Sequence, residues 1–173
     1  MAAAGQLVCV LAGPRPAVDA VAPYTTGVLG RATIDFGGQP ARRATHLKIV
    51  GNSFVLNMVE TLAEGHALAE KSGLGSEDLH KFVEMMFPGP YTAYSARLMG
   101  GDYWREEPLF GVDLARKDAR HALEMAEEAG VRMKALEVAD GHLEGVQRKM
   151  GARGDVAGIY GAVREESGLE FEV

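Results

Sequence analysis

Lys48 and Asn52 stand four residues apart in "THLKIVGNSF" (45–54), inside a stretch from Leu47 to Val59 that is otherwise largely apolar. On a helix this spacing puts both side chains on one face, with Thr45 three residues earlier on the same side. An ammonium taken out of water is costly unless something compensates it, so a lysine here calls for a reason. Two readings are open. In one, the lysine stem lies along apolar surface while its head reaches water, and Asn52 caps a kink at Gly51. In the other, Lys48 exchanges a proton, apolar surroundings bringing its pKa down toward a useful range, and the Asn52 amide orients a substrate hydroxyl or carboxylate. A second candidate is "RKD", Arg116–Lys117–Asp118, which is either a solvated charged helix face or a means for Lys117 to reach an anionic cofactor or substrate group. Phe110 draws interest because it immediately precedes that helix.

These side chains need elements to hold them. "QLVCVLAG" (6–13) is a short apolar run ending at Gly-Pro and reads as a buried strand, with Cys9 in its core. A helix starting near Pro16 and ended or bent by Pro23 would follow, then a second strand at "RATIDFGG" (31–38). Strand, crossover helix and strand make one βαβ unit with parallel strands. From Pro40 the texture is helical, with one long helix running to Gly73. Shorter helices are expected over 76–87, opened by a Ser76 cap, and over 91–101. Three more follow over 110–130, with Leu114, Leu123 and Ala126 at helical spacing, over 133–151 and over 155–168. The reading is mostly α: residues 1–38 a βαβ piece, residues 39–173 all helical.

Composition narrows the function. The 173 residues carry a net charge of −6 and no Lys/Arg cluster, which argues against a nucleic-acid binder. A lone cysteine rules out a disulfide frame, and the five histidines show no paired metal-ligand spacing, so no metal is expected. No apolar run is long enough for a membrane span and "MAAAGQ" lacks the basic start of a signal peptide, making the cytoplasm the default. Neither G-x-G-x-x-G nor a P-loop pattern occurs. Packing explains the aromatic set Phe87, Tyr91, Tyr94, Tyr103, Trp104 and Phe110 at the helix joins more simply than a binding cage does.

The order of elements resembles the β-hydroxyacid dehydrogenases, which include enzymes of the 3-hydroxyisobutyrate dehydrogenase and tartronate-semialdehyde reductase type, with 6-phosphogluconate dehydrogenase more distant. The likeness is carried by "LKIVGN" (47–52), "ETLAEGHALAEKSGL" (60–74) and "FGVDLARKDARHALEMAEEAGV" (110–131). It implies a βαβ remnant of a Rossmann-type sheet followed by a 6-phosphogluconate dehydrogenase C-terminal-like helical domain. It places the catalytic lysine at Lys48, a substrate-binding asparagine at Asn52, and a cofactor-binding group at Lys117, with Phe110 and Asp118 beside it. It also implies NAD or NADP as cofactor, a small hydroxy acid or carbonyl compound as substrate, and a homodimer built through the helical domain. Ala44 and Arg42 stand where that family often has glycines, and Gly51 where an asparagine commonly precedes the second asparagine. Val55 replaces the glutamate of 6-phosphogluconate dehydrogenases, against that enzyme specifically. The family's phosphate-binding glycines and its D-x-P-V-S-G-G-like substrate loop do not occur. The chain is therefore expected to be the C-terminal portion of such a dehydrogenase, inactive without a nucleotide-binding half. The alternative is a stand-alone helical oligomerisation or binding module. Either way, the strands at 6–12 and 31–36 leave apolar edges that invite pairing with another chain.

Overall fold

The computed structural model describes residues 2–173 and divides into two compact units, with the boundary between Gly51 and Asn52. The first unit pairs β1 (Leu7–Gly13) with β2 (Gly30–Gly37) in parallel, joined by α1 (Arg15–Val21) and a 3-10 turn at Ala22–Tyr24 that holds Pro23. The register runs from Val8 opposite Ala32 to Gly13 opposite Gly37. Gly30 is required where the strands meet at the bulge, because a Cβ there would lie 2.3 Å from the Leu7 carbonyl oxygen. Arg15 ties the far end, donating to Asp35 at 2.8 Å and to the Gly37 carbonyl at 2.9 Å, while Gly37 N–H donates to the other Asp35 oxygen. Cys9 is half-buried rather than a core residue, since two strands and one short helix cannot cover both sheet faces. Leu7, Val8 and Ile34 remain exposed for the same reason.

The long helix, α2, runs Arg42–Ser72, and the division between the units falls inside it. Its 31 residues give roughly 46 Å of length. The portion before Gly51 is mostly exposed, Ile49 being its buried residue, so Lys48 is not enclosed by apolar side chains.

The second unit holds α2 from Asn52 onward together with α3 (Ser76–Met86), α4 (Pro90–Gly100), the short α5 (Asp102–Arg105), α6 (Val112–Glu128), α7 (Lys134–Met150) and α8 (Ile159–Glu166). The N-cap of α3 is Gly75, at φ 86°, not Ser76: the turn after α2 needs the left-handed conformation, and the serine becomes the first helical residue. Along α6 the buried face is Ala115, Ala119, Ala122 and Ala126, whose small side chains let α7 approach with Leu136, Ala139, Leu143 and Val146. Leu114, expected on that face, is exposed, because the alanine row one position on packs more closely.

Two buried devices hold this unit. Asp155 is fully buried. It pairs with Arg97 at 2.9 Å, accepts from the Leu109 N–H at 2.7 Å and caps Ala157 N–H at 2.8 Å, which fixes the segment leading into α6. The C-terminal tail lies in a slot. Phe171 is buried against Gly161, where a Cβ would meet its ring at 2.4 Å. The Tyr103 hydroxyl donates to the Phe171 carbonyl, and Arg164 donates to the Glu170 carbonyl at 2.8 Å. Burial pushes the Tyr103 phenol up and, with Glu70 beside it, raises that of Tyr160 to about 12. No helix among the described residues is long and apolar enough to cross a membrane.

Candidate active site

The entry to α6 is a short antiparallel bridge between Gly111 and Asp155, in which Val112 N–H donates to Gly154 at 2.8 Å and Val156 N–H donates to Phe110 at 2.9 Å. That clamp sets the rotation of α6, and successive residues along a helix are turned about 100° from one another. Arg116, Lys117 and Asp118 consequently face three different ways. Arg116 turns to α7, donating to Asp140 at 3.2 Å and to Gln147 at 2.6 Å. Asp118 turns inward, with 4% of its side chain exposed, while the Lys117 side chain keeps 43% exposure.

Asn52 meets this pair from α2. Its Nδ2 donates to Asp118 Oδ2 at 2.5 Å, and Lys117 Nζ donates to Asp118 Oδ1 at 2.8 Å. Three of the candidate residues thus form one cluster within the second unit, drawn from motifs 66 residues apart. A carboxylate removed from water at this depth needs such donors, and charge-assisted bonds are the strong kind. Lys117 also lines an open groove of about 860 Å³ between α6 and α7, together with Arg116, Arg120 and Asp140. Phe110 is half-buried two residues ahead of α6 and is fixed through its carbonyl, not through a bond from its ring. Lys48 is exposed on the first-unit portion of α2, with a partner of its own.

Two further polar clusters carry no spacing signal and escaped the sequence. His142 on α7 lies 2.8 Å from Glu60 on α2 and 3.2 Å from Glu166 just inside the end of α8. Glu60 holds the imidazolium form, with help from Glu166 and against the effect of burial, and raises its pKa to about 9. Ser95 Oγ sits 2.8 Å from His66 Nε2 and 2.8 Å from His80 Nδ1. His66 is fully buried, and desolvation, with His80 nearby, lowers its pKa to about 4. Neither Ser95 nor His66 is open to a ligand, so this cluster is structural. Among the described residues no group of three or more His, Cys, Asp or Glu could hold a metal ion.

The parallel βαβ unit, the long helix and the helices that follow it recur with the same fold in two solved structures. A 3-hydroxyisobutyrate dehydrogenase from Salmonella typhimurium superposes with a TM-score of 0.79 at 17% identity, over 92% of this chain and 55% of that one. The Mycobacterium tuberculosis 3-hydroxyisobutyrate dehydrogenase, solved with L-serine, gives 0.76 at 18% identity, over 94% and 57%. Residues 43–163 match the family described as "NAD-binding of NADP-dependent 3-hydroxyisobutyrate dehydrogenase", and the chain belongs to that family. Among curated proteins, the NADH-dependent oxidoreductase ucdB of Aspergillus ustus is 37% identical over 172 residues, 99% of this chain and 57% of that protein. The uncharacterized oxidoreductase YfjR of Bacillus subtilis (strain 168) is 27% identical over 151 residues, 87% of this chain and 52% of that protein. The chain spans about half the length of the curated relatives it matches.

Proposed function

We infer that this chain is the C-terminal portion of an NAD(P)-dependent oxidoreductase acting on a small 3-hydroxy acid or the related carbonyl compound. The observation that carries the reading is the joining of Asn52 to the Lys117–Asp118 pair, because it unites the two motifs that resemble the family's substrate and cofactor signatures. Lys48 is the proton-exchanging group: it takes the proton of the substrate hydroxyl in oxidation and returns it in reduction. Asn52 orients the substrate, and Lys117 offers a half-exposed ammonium to an anionic part of the coenzyme, with Phe110 at the entry of the same helix. When bound, the nicotinamide supplies the hydride acceptor or donor. The residues fit one flank of such a coenzyme and not its pyrophosphate, for which the sequence has no glycine-rich loop. Holding substrate and nicotinamide within about 3.5 Å of each other needs that second half, so the chain alone is inactive in this reading.

The apolar exposure of α2 supports a homodimer. Phe54 and Leu68, two positions on one helix face, are 73% and 68% exposed, and a second copy packed along α2 would cover them. A stand-alone binding module predicts the same surface and no dependence of any function on Lys48.

Titration of the purified chain with NADH and NADPH, followed by assay with 3-hydroxy acids, tests the reading. Weak coenzyme binding without turnover is expected; micromolar binding together with turnover overturns the claim of inactivity. With a nucleotide-binding half restored, Lys48→Ala should lower turnover by about 10²–10⁴-fold, the usual worth of a positioned acid–base group. Unchanged turnover favours the binding module.

A further inference from the structure

We propose that Ser95 is a one-proton relay between two histidines: when His80 takes up a proton near the surface, the serine hydroxyl reverses and the buried His66 exchanges one neutral tautomer for the other. The fold thereby carries a pH-sensitive switch that reports surface charge to the core of the helical unit. It shares no residue with the Asn52–Asp118 cluster and stands or falls apart from the dehydrogenase reading.

The proton count along these contacts dictates the reversal. Ser95 on α4 is fully buried, with His66 Nε2 of α2 at 2.8 Å and His80 Nδ1 of α3 at 2.8 Å. Among the described residues no other partner reaches its hydroxyl. A hydroxyl has one proton to give and lone pairs to receive, and a neutral imidazole has one N–H and one lone pair. The outer end sets the direction. His80 Nε2 lies 3.5 Å from Glu84 Oε1, so the neutral ring keeps its N–H on that side and turns the Nδ1 lone pair to the serine. Ser95 must then donate to His80, and His66 must donate to Ser95 through Nε2–H, because bare lone pairs at 2.8 Å would repel. His66 Nδ1 is left as a buried acceptor without a partner. Protonated His80 carries an N–H on both nitrogens and donates to Ser95. If His66 still donated as well, the serine proton and the His66 Nδ1 lone pair would both be stranded. Reversal strands a single group: Ser95 donates to His66 Nε2, and the one ring proton of His66 moves to Nδ1. One proton enters in all, and it stays on His80. The side chains facing the two rings are few. Glu84 faces His80, whose side chain is 18% exposed, while His66 has Glu70 on its own helix, His80 on α3 and the Tyr160 ring of α8 at 5.9 Å. Burial lowers the His66 pKa to about 4, so in milder acid this ring changes its tautomer and not its charge.

The test follows both rings in the isotope-labelled 173-residue chain by proton–nitrogen NMR, which distinguishes protonated from bare ring nitrogens. Spectra are taken at intervals from pH 8 to pH 5, the range over which an imidazole ordinarily changes charge. At pH 8 His66 should hold its proton on Nε2. As His80 becomes charged, the His66 proton should pass to Nδ1 with the same midpoint, and the Tyr160 ring signals, edge-on to His66, should shift in step. Ser95→Ala removes the relay and should uncouple the rings: His80 still titrates, and the His66 tautomer no longer responds. A serine with a merely structural role would alter stability on removal without ever having linked the two titrations. A His66 ring that keeps its proton on Nε2 throughout, a His80 ring that stays neutral down to pH 5, or a His66 tautomer that still tracks His80 in Ser95→Ala each overturns the proposal. Should the variant fail to fold, the tautomer readings on the native chain decide it alone.

Discussion

Removing the imidazole at position 142 should change how stability depends on pH more than it changes any contact. Glu60 and His142 keep 7% and 11% of their side-chain surface exposed, so their interaction is little screened by water. Folding raises the histidine pKa from 6.5 to about 9. Every tenfold gain in proton affinity is worth about 1.4 kcal/mol, so the proton on His142 stabilises the folded chain by about 3 kcal/mol. Because the folded state holds this proton more tightly, the contribution is complete below pH 6.5 and disappears as pH rises toward 9. His142→Gln keeps a polar side chain but removes the charge and leaves the buried Glu60 carboxylate without its cation. Chemical denaturation of both proteins at intervals from pH 6 to pH 10 is the assay. The native chain should lose stability relative to the variant by about 3 kcal/mol across this range, and its His142 ring signals should titrate near pH 9. Stability profiles that run parallel, or a His142 that titrates near its ordinary value, would refute the coupling.

Acid should act in the opposite sense through His66. Its folded pKa, lowered to about 4, means the unfolded chain takes up a proton first, so stability should fall between pH 6.5 and 4, and His66→Gln should flatten that limb in the same denaturation series. Phe171→Ala empties the slot above Gly161 and should cost about 3–5 kcal/mol, read as a lower denaturation midpoint; a loss under about 1 kcal/mol would mean the tail is not part of the core. Phe54→Glu combined with Leu68→Glu should convert a dimer to a monomer in sedimentation with unchanged helicity; a native chain already monomeric at tens of micromolar would contradict pairing along α2.

Much of the fold was legible because periodicity and punctuation agree. The parallel βαβ unit follows from two apolar runs and a Pro-bounded crossover, and α2 from an unbroken helical texture between Pro40 and Gly73. The details that did not follow share one cause: local signals are symmetric where packing is not. Ser76 and Gly75 both suit an N-cap, and the backbone turn after α2 chose the glycine. Leu114 looked like the stronger anchor of α6, but a row of alanines packs closer to α7 than leucines would. Cys9 read as core because an apolar strand implies layers above and below, which two strands cannot supply. α5 is a single turn, too short for any periodicity.

The candidate cluster was legible in pieces. Lys48, Asn52 and the Lys117–Asp118 pair stand out by residue type, and their likeness to a family made them more than charged helix positions. Nothing in either spacing says that Asn52 and Asp118 touch, since that depends on the rotation of α6 set by its clamp to Asp155. The Glu60–His142–Glu166 group had no signal at all. Its members lie on three helices, and each alone reads as an ordinary charged residue.

The angular address of α6 makes some mutations far worse than their size suggests. Its neighbours 116, 117 and 118 serve α7, the groove and the interior respectively, each by virtue of a single rotational step. Loss of one codon between the clamp and Arg116 would advance every later side chain by one step. The aspartate would then face the solvent groove and the alanine behind it the amide of Asn52. No residue type would have changed, yet the cluster would be dismantled, so length in this segment is under tighter constraint than sequence.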